Sequence, residues 1–440
     1  MTHSLARSAA LATLLATCLM ASGCTGIQRI IGFKDQVQQA QAQAHIFGRV
    51  DAEGPAAGTL VVVLGRVVEG QEDLVGVDAY TRTNPGTYLF FAAPGRYQVG
   101  AYDDRNRNGL LDPGERVARV RDSKILELEG GGSARLDVLL KDGSSLGPEF
   151  TEPVDVLAIV ERTPKEQREF SLWAFSKQGA ICEDLGDDQF GPESGSRGLW
   201  EPMNFLNDEL AGIYFLEPYD DDRIPVLFVH GVAGYPQAFS TLIDELDRTR
   251  YQPWFYFYPS GFGLDGIATH LAALLKRLQP QYDFNELAIV AHSMGGLVSR
   301  GAIFKYATET QRNDIRLFVS ISTPWGGDVR AKKTERAPIE LPASFKDMNP
   351  SSDYLRWIFY EDEEKKHMKP LPRRVEYHMI FGFRGSGSSC NDGSVTCASQ
   401  VRSEAQEQAR TIRAWDYGHV EILHSPEAVA RVNMLLDGRF

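Results

Sequence analysis

The chain has 440 residues, 43% hydrophobic and 24% charged, the composition of a folded protein long enough for more than one core. Its formal net charge of −13 has no basic patch to offset it, which argues against a nucleic-acid partner.

Arg7 precedes the apolar run "SAALATLLATCLM", and "ASGC" follows. This is a charged n-region, a short h-region and a small-residue cleavage site. At 13 residues the run is too short to span a bilayer comfortably. Residues 1–23 resemble a bacterial lipoprotein signal peptide, whose lipobox ends in the lipidated cysteine, here Cys24. Ala21 departs from the leucine usual there, and Ala21 with Gly23 also suits ordinary secretion. Thr25 is not aspartate, which by analogy with Gram-negative lipoproteins points to the outer membrane. Residues 24–44 are polar and Gln-rich and read as lipid anchor and tether. No later stretch is long and apolar enough for a transmembrane helix.

Residues 45–142 read as an all-β sandwich. The segments "HIFGRV", "GTLVVVLGRV", "GTYLFFA", "GRYQVGAYD" and "SARLDVLL" alternate or run β-branched between Gly, Pro and Asn turns. The pattern resembles the carboxypeptidase-regulatory and prealbumin-like sandwiches attached to secreted bacterial enzymes. Within it, "DRNRNGLLDPGE" places oxygen ligands at Asp104, Asn106, Asn108, Asp112 and Glu115, with Gly109 at position six. The spacing matches the EF-hand calcium loop, in which the carbonyl of Leu110 would also bind. Two amides lower the site's charge and predict weak structural calcium binding; a metal-free Asn/Asp/Gly turn is the alternative. No helical pattern flanks the loop, so it is not a paired sensor.

Residues 146–440 read as the next domain. In its lead-in, 146–222, "VDVLAIVER" and "GIYFLEP" predict strands and "DLGDDQFGPESGSRG" a loop. From Ile224, strands ("IPVLFVHG", "WFYFYPSG", "ELAIVAHS", "IRLFVSIS", "VEYHMIFGF") alternate with helical patterns. In "PQAFSTLIDELDRTR" the face is Phe239, Leu242, Ile243 and Leu246; in "GLDGIATHLAALLKRL" it is Ile267, Leu271, Leu274, Leu275 and Leu278. A helix begins at Met294, and "SPEAVARVNMLL" closes the series. Alternating βα units imply a doubly wound, mainly parallel sheet covered on both faces. Residues 329–372 interrupt the series with a mixed apolar and charged stretch. They read as a helical cap insert over the site or as a surface excursion.

Removal of residues 1–23 leaves Cys24, Cys182, Cys390 and Cys397. In an oxidising compartment "CNDGSVTC" brings Cys390 and Cys397 close enough to bridge, leaving Cys182 as a buried thiol. No histidine stands at zinc-ligand spacing beside them.

In "IVAHSMGGLVSR" a β-branched run ends in His292-Ser293-Met294 and two glycines before a helix. A serine at such a turn projects its hydroxyl from the sheet edge toward the helix N-terminus, the nucleophile-elbow arrangement. Ala291 stands where the general form has glycine.

Taken with "VHGVAG", "STPWGG", "NDGSVT" and "YGHVEILHSPEAV" in that order, the motif resembles the α/β-hydrolase superfamily, in its bacterial lipase/esterase branch. The likeness covers about half the chain, from near Ile224 onward. It implies Ser293 as nucleophile, His419 as base and Asp392 as orienting acid, with Val232 and Met294 donating backbone N–H groups to an oxyanion hole. His424 is the rival base; Asp328 and then Asp416 are the rival acids. His230 and His292 brace the loop and the elbow in such enzymes.

The resulting expectation is a membrane-anchored serine hydrolase cleaving lipid or other acyl esters, with no organic cofactor. An acyltransferase, thioesterase or amidase could use the same triad, and a surface-binding lipoprotein with an inert hydrolase fold is the alternative of another class.

Overall fold

The structure is a computed structural model that describes residues 44–54, 58–68, 75–82, 85–129, 132–148, 150–156, 176–328, 331, 341–362 and 364–438. The signal, Cys24 and nearly all the tether, most of "VDVLAIVER" and part of the insert lie outside these residues. The chain divides into two compact units, one over Val37–Ser176 and one containing Lys177–Phe440.

The first unit is built of strands: β1 (Ala44–Ala52), β2 (Thr59–Arg66), β3 (Val75–Arg82), β4 (Gly86–Ala92), β5 (Gly95–Asp104), β6 (Val117–Ala118), β7 (Leu126–Leu128), β8 (Ser133–Arg135) and β9 (Val138–Leu140). One sheet runs β4-β1-β8 with β9 also on β1; the other runs β3-β2-β5-β6 with β7 on β5. Alternate residues of facing strands, among them Ile46, Val50, Leu60, Val62, Phe90, Tyr97 and Val99, form the core between the sheets. β2 has no polar face because its other side is covered too. Val61 and Val63 pack with Tyr102, Leu111 and Val117, and Leu146, Val154 and Val156 pack against that cluster. Backbone bonds between Leu111 and Val154 fasten this flap at 2.9 Å in both directions. The described residues of 146–156 therefore complete the sandwich rather than lead into the next domain. An apolar strand-like segment gives no sign of which neighbour it covers.

The loop from Asp104 to Glu115 is closed by its own hydrogen bonds. Asp104 accepts from the N–H groups of Asn108 (3.1 Å) and Gly109 (2.9 Å). Glu115 accepts from Arg105 (2.6 Å) and Asp112 (3.0 Å), and the Asn106 and Asn108 amides both donate to Asp112 at 2.8 Å. Gly109, at φ 82°, occupies the left-handed turn that the pattern requires there. Among the described residues the carboxylates that come within 4.8 Å of one another as a trio are Asp220, Asp221 and Asp222, not those of this loop.

The second unit holds an eight-stranded sheet: β10 (Lys177–Ile181), β11 (Gly212–Phe215), β12 (Ile224–Val229), β13 (Tyr251–Phe257), β14 (Leu287–His292), β15 (Ile315–Ile321), β16 (Glu376–Gly382) and β17 (Thr411–Trp415). Their order is β10-β11-β13-β12-β14-β15-β16-β17, parallel except between β11 and β13. The chief helices are α1 (Pro192–Trp200), α2 (Leu264–Tyr282), α3 (Met294–Thr310) and α4 (Pro426–Asp437). The apolar face expected of α2 is buried throughout: Ile267, Leu271, Leu274, Leu275 and Leu278 expose 2% or less. β12, β14 and β15 are buried along nearly their whole length, as parallel strands covered on both faces must be.

Three features differ from the sequence expectation. "PESGSRG", the end of the stretch expected to be a loop, forms most of α1. Proline sits in its first turn, and Gly195 lies so close to the carbonyls of Ala233 and Gly234 that a Cβ would come within 2.6 Å of both. The glycine that makes the segment look like a loop is what lets the helix dock. The helix expected over residues 236–250 is only a 3-10 turn, Pro236–Phe239, and a short helix, Ser240–Asp244, although its apolar face is buried as expected. β10 and β17 carry no clear pattern because they are edge strands of mixed exposure.

The described part of the 329–372 insert belongs to the helical layer. Met348, Tyr354, Leu355, Ile358, Phe359 and Leu371 join the main core. The Tyr354 hydroxyl donates to the Leu297 carbonyl (3.0 Å), and Arg300 Nε donates to the Ile358 carbonyl (2.7 Å). This portion is a wall fastened to α3; residues 332–340 lie outside the described part.

Candidate active site

Ser293 lies between β14 and α3 with φ 56° and ψ −132°, a conformation that costs a non-glycine residue strain. Three glycines allow it. A Cβ on Gly295 would come within 2.4 Å of the His230 carbonyl oxygen. One on Gly296 would meet Thr323 Oγ1 at 2.1 Å, and one on Gly231 would sit 2.6 Å from Ser293 Cβ. The elbow is thus wedged between β12's loop and the turn after β15, and the Ser293 N–H donates to the Ile321 carbonyl at 2.8 Å.

His419 lies in the loop after β17. Its Nε2 is 2.9 Å from Ser293 Oγ and its Nδ1 2.7 Å from Asp392 Oδ2. An ionised carboxylate only accepts, so Nδ1 carries the proton and Nε2 is left to accept from the serine hydroxyl. The His419 backbone N–H also donates to the Asp392 carbonyl, at 2.8 Å, so the histidine and acid loops are joined twice.

Asp392 Oδ1 accepts from the N–H groups of Ser394 (2.9 Å) and Val395 (2.7 Å). Burial pushes its carboxyl up, but His419 and these two donors outweigh that and hold it below the ordinary carboxylate value. Cys390 and Cys397 are joined in a disulfide that brackets Asp392, with Cα atoms 5.4 Å apart. Cys182 is free and buried.

The rivals stand elsewhere. His424 Nδ1 is 2.7 Å from Thr241 Oγ1, and Asp392, not Asp328 or Asp416, holds the His419 ring. His292 is buried, and its Nε2–H donates to the His419 carbonyl at 2.8 Å. Burial and the nearby His419 push it down to about 3, so it stays neutral. It braces the base from behind.

Met294 opens α3, so its N–H lies outside the helix's own ladder. The Val232 N–H meets no protein acceptor among the described residues, and the Gly231 backbone before it lies against Ser293. Met294 adjoins Ser293 in the chain, and Val232 follows the glycine that packs on it. Sequence reasoning missed Ser260, whose buried hydroxyl accepts from the N–H of Ala233, a residue held at φ 49°. It also missed Arg384 and Glu421, an ion pair in which Glu421 additionally accepts from the Gly418 N–H at 2.9 Å. Neither stands at a spacing that would betray it. A cavity of about 580 Å³ lined by Tyr219, Asp222, Arg223 and Tyr282 opens where β12 starts, the end of the strand away from this site.

A family described as "Putative serine esterase (DUF676)" matches residues 261–346, a stretch that contains α2, β14, Ser293, α3 and β15 but neither Asp392 nor His419. No curated protein matches the chain. Among solved structures, the chain is similar to the mature lipase BlEst2 of Bacillus licheniformis (18% identity, 51% of this chain and 97% of that one, TM-score 0.41). It is likewise similar to the lin2722 product of Listeria innocua (17%, 49% and 94%, TM-score 0.37). A third similarity is to lipase B of Aspergillus fumigatus (15%, 53% and 57%, TM-score 0.40).

Proposed function

We propose that the second unit is an α/β-hydrolase that cleaves carboxylic esters through Ser293, His419 and Asp392. The observation that carries this reading is the unbroken chain from Ser293 Oγ to His419 Nε2 (2.9 Å) and from His419 Nδ1 to Asp392 (2.7 Å), with the serine strained at a strand-to-helix turn. The match of residues 261–346 to a serine esterase family supports it.

In the reaction His419 takes the Ser293 proton as Oγ attacks the ester carbonyl. The oxyanion that forms is stabilised by the N–H groups of Val232 and Met294. His419 then protonates the leaving alcohol, and the acyl-enzyme is hydrolysed by water activated through the same base. Asp392 keeps the imidazole in the required tautomer and stabilises its cation. This chemistry calls for no cofactor. Lipid or other acyl esters are the substrate class proposed, and lipidation at Cys24 would hold the enzyme at the membrane that contains them.

A fluorophosphonate probe should label Ser293. Ser293→Ala and His419→Ala should each lower ester turnover by about 10⁴-fold or more, since triad members act as a unit. His424→Ala should leave turnover nearly unchanged. Turnover of Ser293→Ala within tenfold of wild type at a matched melting temperature would overturn the reading.

A further inference from the structure

The oxyanion donor contributed by Val232 belongs to a loop whose direction is set from the neighbouring strand. Gly231 C=O and Val232 N–H share one planar trans peptide and point opposite ways. Whatever fixes the Gly231 carbonyl therefore aims the Val232 N–H. His230 does this together with the Gly234 N–H, which donates to the same oxygen at 3.1 Å: the His230 Nδ1 lies 2.9 Å from the Gly231 carbonyl oxygen, which can only accept, so Nδ1 is the protonated nitrogen.

His230 is in turn held by Tyr258, the residue after β13. The Tyr258 backbone N–H donates to His230 Nε2 (3.3 Å), its hydroxyl donates to the His230 carbonyl (2.5 Å), and the two rings stack with centroids 4.1 Å apart and planes within 9°. The same His230 carbonyl rests on Gly295 at the start of α3. Burial keeps His230 neutral, pushed down to about 4, so Nε2 remains an acceptor; burial pushes the Tyr258 hydroxyl far up, so it remains a donor.

We infer that Tyr258 is a positioning residue that aims the Val232 N–H at the reacting oxygen through His230 and the Gly231 carbonyl. The inference rests on the Ser293 reading above. Its hydroxyl fixes one end of His230 and its ring and N–H fix the other, so the imidazole cannot swing and take the Gly231–Val232 peptide with it.

The test compares Tyr258→Phe with Tyr256→Phe in the full chain. Tyr256 stacks on Tyr258 at 4.7 Å and loses an equally buried hydroxyl, bonded to His270 at 2.7 Å. Removing one oxyanion donor outright costs about 10²–10³-fold, so a donor that is misaimed but retained should cost roughly tenfold in kcat with KM within about twofold. Inhibition by an aryl trifluoromethyl ketone, whose adduct carries the oxyanion, should weaken by the same factor. Tyr256→Phe should lower the melting temperature and leave kcat and ketone inhibition alone. Should Tyr258→Phe not fold, His230→Phe keeps a stacked ring and the hydroxyl bond but loses the imidazole's bond to Gly231, leaving the Gly234 N–H alone on that oxygen, and should weaken the ketone likewise. Unchanged kcat and ketone inhibition in Tyr258→Phe, or equal losses in both tyrosine variants, overturns the inference alone. Failure of the fluorophosphonate to label Ser293 in the wild type overturns the hydrolase reading and this inference together.

Discussion

The role proposed for Asp392 follows from where its charge is held. Its carboxyl is buried, faces His419 and two N–H groups, and lies below the ordinary value. A depressed carboxyl contributes stability that is complete above the unfolded value and lost as pH falls through the folded one. Wild type should therefore melt above Asp392→Asn at neutral pH, and the gap should close as pH falls below about 4. Turnover of Asp392→Asn should fall by about 10³–10⁴-fold, because an amide can present its N–H to Nδ1 and favour the wrong tautomer. Asp328→Asn should cost far less; the reverse order in initial rates would move the acid.

Among the elements, α1 sets local propensity against packing. Gly→Ala inside a helix normally stabilises by about 1 kcal/mol. At Gly195 the new Cβ would meet two backbone oxygens of the loop that follows Val232, at 2.6 Å. Backbone cannot step aside as a side chain can, and overpacking costs about 1–3 kcal/mol. Gly195→Ala should lower both the melting temperature and kcat; a higher melting temperature would mean that α1 does not brace the loop. The Asp104–Glu115 loop makes the other prediction at this scale. Its carboxylates are held by N–H groups and amides, and its pattern supports the proposal that it takes calcium. A ligand at 100 times its Kd stabilises by about 2.7 kcal/mol, so millimolar calcium should raise the first unit's melt visibly in wild type and not in Glu115→Gln, with turnover unchanged. A calorimetric trace indifferent to calcium and chelator would leave a hydrogen-bonded turn.

At the scale of the whole molecule, the proposed membrane attachment rests on Cys24. Among the described residues no helix is long and apolar enough to cross one. Lipid chains on Cys24 are the proposed anchor, and two or more acyl chains hold far more firmly than one. Cys24→Ser should move the protein to the soluble fraction while activity on a soluble ester survives. Pelleting of Cys24→Ser with salt-washed membranes would place the anchor elsewhere.

The elbow was legible in the chain because it is local: the strand, the serine and the glycines all lie within a dozen residues. So were the buried faces of α2 and of the central strands, which follow from periodicity, and the pairing of two cysteines separated by seven positions. Resemblance ranks Asp392 above Asp328 and Asp416, and His419 above His424; the hydrogen bonds that lead to Ser293 run through His419 and Asp392. The serine–histidine contact joins residues 126 positions apart, a distance over which no spacing rule operates. The helix over Pro192–Trp200, the edge strands β10 and β17, and the place of residues 146–156 on the sandwich were decided only by tertiary structure. In each, the local composition is ambiguous, and a neighbouring backbone or an uncovered apolar face selects the outcome.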